Sequence, residues 1–314
     1  KLYKINNFNK IVLNSTYILR YYFKIKFNFF LKKYITNIVT SKNYDIWHFH
    51  SVNFKTLIIF EILKELNQKV VFTFHGADIQ KDKKIGYGYR LKPKYDKMLR
   101  KNLKLVDRIH SISKEIDKDV IKLNIPRNKI VRVSDCVCHK KFKKYKIHKP
   151  KKFTMITVAR YAEKKKGFDF IEKIGRELVN KINFEWIIIG KNVSELKKKK
   201  FFYNNKKNFK IIEEIENNEL FFPNSKLIKY YKSSSVYAHL SRIESFGISI
   251  LEALTSGLPI ISFESIGSKT LIKSGTNGYL IKCYDTKKYA EKIIKIYKSK
   301  NKVLNPNLRE LIKY

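Results

Sequence analysis

Short apolar runs separated by amphipathic stretches dominate this chain. In the first half they are YDIWHFH (residues 44–50), KVVFTFH (69–75), DRIHSIS (107–113) and KIVRVSD (129–135), rich in β-branched and aromatic residues and too short for helices. A basic, proline-containing break at 143–152 is followed by FTMITVAR (153–160), FEWIIIG (184–190), FKIIEEI (209–215), SVYAHLS (235–241) and PIISF (259–263). Strands alternating with helical stretches predict α/β units with parallel sheets. Two such series predict two domains, residues 1–148 and 149–314, with the boundary near Lys149. The Lys-rich stretch at 197–208 is expected as a solvated loop or helix end.

The segment ESFGISILEALTSGLP (244–259) carries the most chemistry. A β-prone run ends at Arg242, a turn containing Gly247 follows, and ISILEALTS (248–256) has the apolar spacing of a buried helix. Gly257 is the expected helix stop, and Pro259 opens the next strand. Such a turn leaves the first N–H groups of the helix pointing at any anion in the cleft. Glu244 in the turn suits sugar hydroxyls, and Glu252 in the helix suits a ribose diol. On spacing alone, a solvated acidic pair flanking an ordinary βαβ turn explains these two glutamates equally well.

Charge changes the picture less than its size suggests. The 314 residues carry 68 Lys and Arg against 27 Asp and Glu, a formal net charge of +41. The excess is spread along the whole chain with abundant Ile, Asn, Phe and Tyr, and no RNA-binding motif accompanies it, so no specific nucleic-acid partner is expected. An anionic membrane surface is the better candidate partner, since each nearby Lys or Arg contributes about 1 kcal/mol there. No apolar run approaches the roughly 18 residues of a membrane span and no signal peptide is visible, which predicts a cytoplasmic protein, at most peripheral on the inner face of the membrane. Cys136, Cys138 and Cys283 form no paired metal-binding set and are expected as reduced thiols.

HLSRIESFGISILEALTSGLPII with the following GSKTLIKSGTNGYLI resembles the C-terminal domain of retaining glycosyltransferases of family 4. VARYAEKKKGFDFIEKI (158–174) is similar to that family's Arg…Lys-Gly segment, FTFHGADI (72–79) to its N-domain His-Gly loop, and ISKEIDKDVIKLNIPRNKIVRVSD (112–135) to the segment closing its N-domain. The four motifs occur in the expected order and cover most of residues 44–281. The resemblance implies a GT-B fold, in which two Rossmann-like parallel-sheet domains face each other across a cleft. It also implies transfer of a hexose-type sugar, with retention, from a UDP-, GDP- or ADP-sugar to a glycan or lipid-linked acceptor in cell-surface polysaccharide or glycoconjugate synthesis.

Carried onto this sequence, the resemblance assigns Glu244, the first Glu of the E-x7-E motif, to the donor sugar. The backbone N–H groups of Ser245, Phe246 and Gly247 would hold sugar and phosphate, and Glu252 would accept from the ribose. Arg160 and the lysine before Gly167 match the diphosphate clamp, where positive charge stabilises the departing phosphate. Lys165 and Lys166 compete for that place, with Lys166 favoured because it directly precedes the glycine. His75 matches the histidine that the family uses in the cleft near the donor sugar, which makes it a catalytic candidate; its plain reading is a satisfied histidine at a strand end. No cofactor and no metal are expected, because Arg160, a lysine and the helix N-terminus supply the positive field. Asp78 is expected to cap a turn rather than contact the acceptor, the Asp117-Lys118-Asp119 string to be solvated on a helix, and His48 with His50 to share one strand face, where a structural use is preferred over lining the acceptor side. The loops around Gly190 and Glu213 are expected as neighbours of the base.

The chain departs from the family pattern at its start, with no glycine before Gly76 where relatives carry a Gly-rich loop. That predicts a truncated or degenerate first βαβ increment, and with it an alternative function, a catalytically inactive GT-B protein that binds nucleotide-sugar without turnover. Thr270 stands where many relatives carry Glu. A basic RNA-binding protein is the remaining alternative. The aromatic, basic segment at 17–34 reads either as an amphipathic membrane-surface helix or, preferably, as a helix packed on the N-domain sheet.

Overall fold

Each of the nine apolar runs folds as a strand, trimmed where its polar ends turn away. In a computed structural model, which describes residues 27–146, 150–215, 219 and 223–299, the first four are β1 (Trp47–His50), β2 (Val70–Phe74), β3 (Arg108–Ser111) and β4 (Ile130–Arg132). They form a four-stranded sheet in chain order, parallel throughout, with Trp47 against Val70 and Phe72 against Ile109. Helices α1 (Phe27–Lys42), α2 (Phe54–Glu65), α3 (Pro93–Leu103) and α4 (Lys114–Ile121) cover this sheet. A short α5 (His139–Lys143) follows. The domain boundary near Lys149 falls outside the described residues.

The second sheet contains β5 (Phe153–Val158), β6 (Phe184–Ile189), β7 (Phe209–Ile212), β8 (Val236–His239), β9 (Ile260–Phe263) and a tenth strand, β10 (Gly278–Ile281). All its pairings are parallel and the order is β10-β9-β8-β5-β6-β7. The chain reverses its direction of winding between β5 and β8, where Met155 pairs with Val236. Its helices are α6 (Glu163–Lys166), α7 (Phe168–Leu178), α8 (Lys200–Asn204), α9 (Ser225–Lys232), α10 (Ile248–Thr255), α11 (Ile266–Leu271) and α12 (Thr286–Lys298). Among the described residues no helix is long and apolar enough to cross a membrane.

Burial explains which expectations need correction. The stretch at 197–208 is not simply solvated, because Phe201 and Phe202 of α8 bury their rings against Phe209 while the lysines stay outside. Asp117 is likewise buried and ion-paired with Arg132, whereas Asp119 pairs with Lys122 at 3.7 Å. Strand β10 is only four residues long and half-buried at its centre, so its apolar signal is weak until β9 pairs with it. In the N-terminal part, Leu31 and Ile35 of α1 enter the core, as the packing reading requires; residues 17–26 lie outside the described residues.

Candidate active site

Ligands of doubly wound sheets sit outside the carboxyl ends of the strands at the point where the order reverses. Here that point lies between β5 and β8, and both loops leaving it carry the residues singled out from sequence. Arg160 follows β5 and is exposed, and the loop then turns through α6 to Gly167. His239 ends β8, and Arg242 and Glu244 follow on the loop to α10.

The two lysines separate. Lys166 Nζ lies 2.7 Å from Glu244 Oε2, with both side chains at most 16% exposed. Lys165 instead turns to the other domain, its Nζ 2.9 Å from the Tyr87 hydroxyl and 4.1 Å above that ring. Burial by itself would raise the Glu244 carboxyl, but the charge and hydrogen bond of Lys166, backed by Lys165, override it and hold the group down at about 2. Burial, with help from Lys166, lowers Lys165 to about 8 against the opposing pull of Glu244.

Arg242 fixes this arrangement, and the sequence reading gave it no role. Its guanidinium grips Asp169 with two bonds of 2.7 and 2.6 Å, lies 3.8 Å over the Phe170 ring and donates to the Lys164 carbonyl at 2.6 Å. Its backbone N–H donates to the Lys165 carbonyl at 2.9 Å. The planar fork thus ties the lysine loop to the glutamate loop. His239 was also missed. It is buried with Nε2 3.8 Å from Glu244 Oε2, and burial lowers it to about 4 despite that carboxylate, so it stays neutral at physiological pH. Its place at the end of a strand inside the quoted motif was the only signal available.

Ser245, Phe246 and Gly247 form the turn into α10, with Gly247 at φ +97° where a side chain is strained. Ser245 donates its hydroxyl to Gln80 Oε1 of the first domain at 2.8 Å, and Phe246 buries its ring in the core. Glu252 lies below this turn rather than beside Glu244. It is 1% exposed, accepts the Tyr231 hydroxyl at 2.9 Å on Oε2, and its buried Oε1 has no partner among the described residues. Burial raises it to about 7, with Tyr231 opposing.

That carboxyl makes stability depend on pH. Its folded pKa exceeds the unfolded value near 4.5, so its favourable contribution is complete below about pH 4.5 and is lost as pH rises through 7. In urea titrations, Glu252→Gln is expected to remove a loss on the order of 3 kcal/mol between pH 4.5 and 8. An unchanged slope in the variant would contradict this.

His75 has its ring Nε2 3.3 Å from His50 Nδ1, at the exposed rim of the first sheet. Its neighbour Gly76 comes close to the second domain, where a Cβ would stand 2.2 Å from Ser245 Oγ. Asp78 caps this loop from within, accepting the backbone N–H groups of Val52, His75 and Gly76. Glu213 ties down the loop after β6 through the N–H groups of Asn192 and Ser194.

Residues 139–313 match the family model of glycosyl transferases group 1, and residues 8–140 that of glycosyltransferase family 4. An uncharacterised glycosyltransferase of Haemophilus influenzae is 33% identical over 118 residues, 37% of this chain and 31% of that protein. An uncharacterised 41.2 kDa protein in the cps region of Klebsiella pneumoniae is 27% identical over 79% of this chain and 68% of its own length. The crystal structure of Anabaena HepE in complex with UDP-glucose superposes with a TM-score of 0.65 at 16% identity, covering 86% of this chain and 74% of that one, and fixes the fold as GT-B. The chain thus spans under a third of the Haemophilus protein it matches. With more than half of its length matching the group 1 model, this chain belongs to the glycosyl transferases group 1 family.

Proposed function

We propose that the protein transfers a hexose-type sugar, with retention, from a nucleoside diphosphate sugar to a glycan or lipid-linked acceptor in cell-surface polysaccharide or glycoconjugate synthesis. The contact between Lys166 and Glu244 carries the reading, because it sets one cation and one carboxylate 2.7 Å apart at the switch point. On donor binding the pair divides: Glu244 accepts sugar hydroxyls and Lys166 turns to the diphosphate. Arg160 adds a second positive charge from the same loop, and the first N–H groups of α10 complete the cradle. The C1–oxygen bond then breaks with oxocarbenium character, as in glycoside hydrolysis. The acceptor oxygen attacks C1 from the same face, and its proton passes to the departing phosphate. Products are the glycosylated acceptor and the nucleoside diphosphate.

His75 acts near the donor sugar in this reading, and Glu252 waits for the ribose, its buried Oε1 having no donor among the described residues. Lys165 bridges to Tyr87 and helps close the domains over the donor. No metal is required, since the Lys, Arg and helix dipole supply the charge. The protein would work in the cytoplasm, peripheral on the inner face of the membrane where the acceptor is lipid-linked. UDP is the first base to try, because the Anabaena neighbour was solved with UDP-glucose. A thermal-shift and hydrolysis screen against UDP-, GDP- and ADP-sugars, with and without EDTA, tests the proposal. Stabilisation by one nucleotide sugar with slow sugar release, insensitive to EDTA and weakened in Glu252→Ala, is expected. Stabilisation without release would instead favour the inactive binder.

A further inference from the structure

Four imidazoles gather at the carboxyl ends of the first three strands, a group larger than the donor chemistry uses. His48 and His50 project from β1, His75 follows β2, and His110 lies on β3. The Thr73 hydroxyl bridges two of them, 2.6 Å from His48 Nε2 and 3.1 Å from His110 Nδ1. His48 and His50 stand with ring centroids 4.4 Å apart, and His50 and His75 stack at 5.5 Å. The Nε2 atom of His110 is buried with no hydrogen-bond partner among the described residues. Among the described residues no group of three or more His, Cys, Asp or Glu could hold a metal ion.

From this juxtaposition we infer that the histidine group is an anion subsite that receives a phosphate group carried by the acceptor. The inference rests on the transferase reading for its word acceptor, but the binding chemistry stands on the cluster itself. Crowded imidazoles oppose one another's protonation; burial first, then the neighbouring rings, lower His48 and His50. An anion placed among them reverses that repulsion, drawing protons onto the rings and turning ring nitrogens into charged donors. The acidic group that acts on the rings is Asp135, half-buried and facing His75, His110 and His50. The position is also right, because Gly76, next to His75, touches Ser245 of the donor-side turn. An anion held here lies on the first-domain wall of the cleft, opposite the donor.

Binding must therefore take up protons. The rings have a higher pKa when the anion is bound than when it is absent, so affinity is greatest at low pH and falls as pH rises through the imidazole range, by up to about tenfold per pH unit for each proton taken up. The test uses the full chain with sulfate, whose charge is constant over this range, inorganic phosphate, glycerol 3-phosphate and glycerol. Imidazole NMR follows the rings while calorimetry in two buffers of different ionisation enthalpy counts protons, from pH 6 to 8. Expected are shifts of the His48, His50, His75 and His110 signals with His239 unmoved, net proton uptake with sulfate, and at least tenfold tighter binding of glycerol 3-phosphate than of glycerol. The His50→Asn/His110→Gln double variant should lose these responses while keeping UDP binding and its melting temperature. Unmoved rings, binding without proton uptake, or responses retained in the double variant would overturn the inference. Binding of phosphate and sulfate with exclusion of glycerol 3-phosphate would make the ligand a free anion and overturn its acceptor part. Absence of UDP binding alongside these ring shifts would sink the transferase reading and leave the anion site standing.

Discussion

Replacing Lys166 by alanine is expected to lower sugar transfer by about 10²–10³-fold, the usual effect of removing one fixed donor from a developing anion. The same change should destabilise the fold by about 3 kcal/mol, because it strands Glu244 as a largely buried carboxylate facing neutral His239. Intact, the pair adds little net stability; breaking it on one side is what costs. Glu244→Gln combined with Lys166→Met should therefore recover most of the stability and none of the activity. Acid titration offers an independent check. The Glu244 carboxyl is held at about 2 in the folded protein, below its unfolded value near 4.5, so its stabilisation is complete above about pH 4.5 and drains away as pH falls towards 2. That loss should vanish in Glu244→Gln. Full activity in Lys166→Ala, with Lys165→Ala inactive, would move the clamp to the neighbouring lysine.

Gly76→Val should abolish transfer while leaving nucleotide binding to the second domain within a few-fold. Gly76 has φ +130° and a Cβ there would stand 2.2 Å from Ser245 Oγ and 2.9 Å from the Tyr87 hydroxyl. A branched side chain must wedge the domains apart, and a displacement of about 1 Å at reacting atoms costs roughly 10²-fold in rate. The strained backbone adds about 1–3 kcal/mol of destabilisation. Calorimetric titration with UDP beside kcat measurements separates these effects, and unchanged kcat in a folded Gly76→Val protein would mean that the Gly76–Ser245 contact is not part of the working state. Adding Ser245→Ala to Gly76→Ala should restore part of the rate, since it removes the nearer clash but not the strain.

Sequence patterning was sufficient for the strand series because each run buries one or both faces in a parallel sheet, which leaves a continuous apolar signature. The missed strand β10 is the exception that shows why: it is short, begins with glycine and becomes a strand only when Ile260 and its neighbours pair with it. Likewise, FF at 201–202 is apolar in a lysine run, and composition masked what packing against Phe209 decides.

By itself, the sequence determined the two α/β series, the turn that carries Glu244 and the helix that carries Glu252, because those depend on periodicity and local backbone geometry. The tertiary structure alone decided which lysine meets Glu244, since Lys165 and Lys166 are adjacent in sequence but point to different domains. It also sank Glu252 beneath the turn against Tyr231, joined Arg242 to Asp169 and assembled four histidines at the carboxyl ends of three strands. Those contacts join residues far apart along the chain, 78 positions in the case of Lys166 and Glu244. No local pattern encodes them, because the sheet order and the approach of the two domains set such distances.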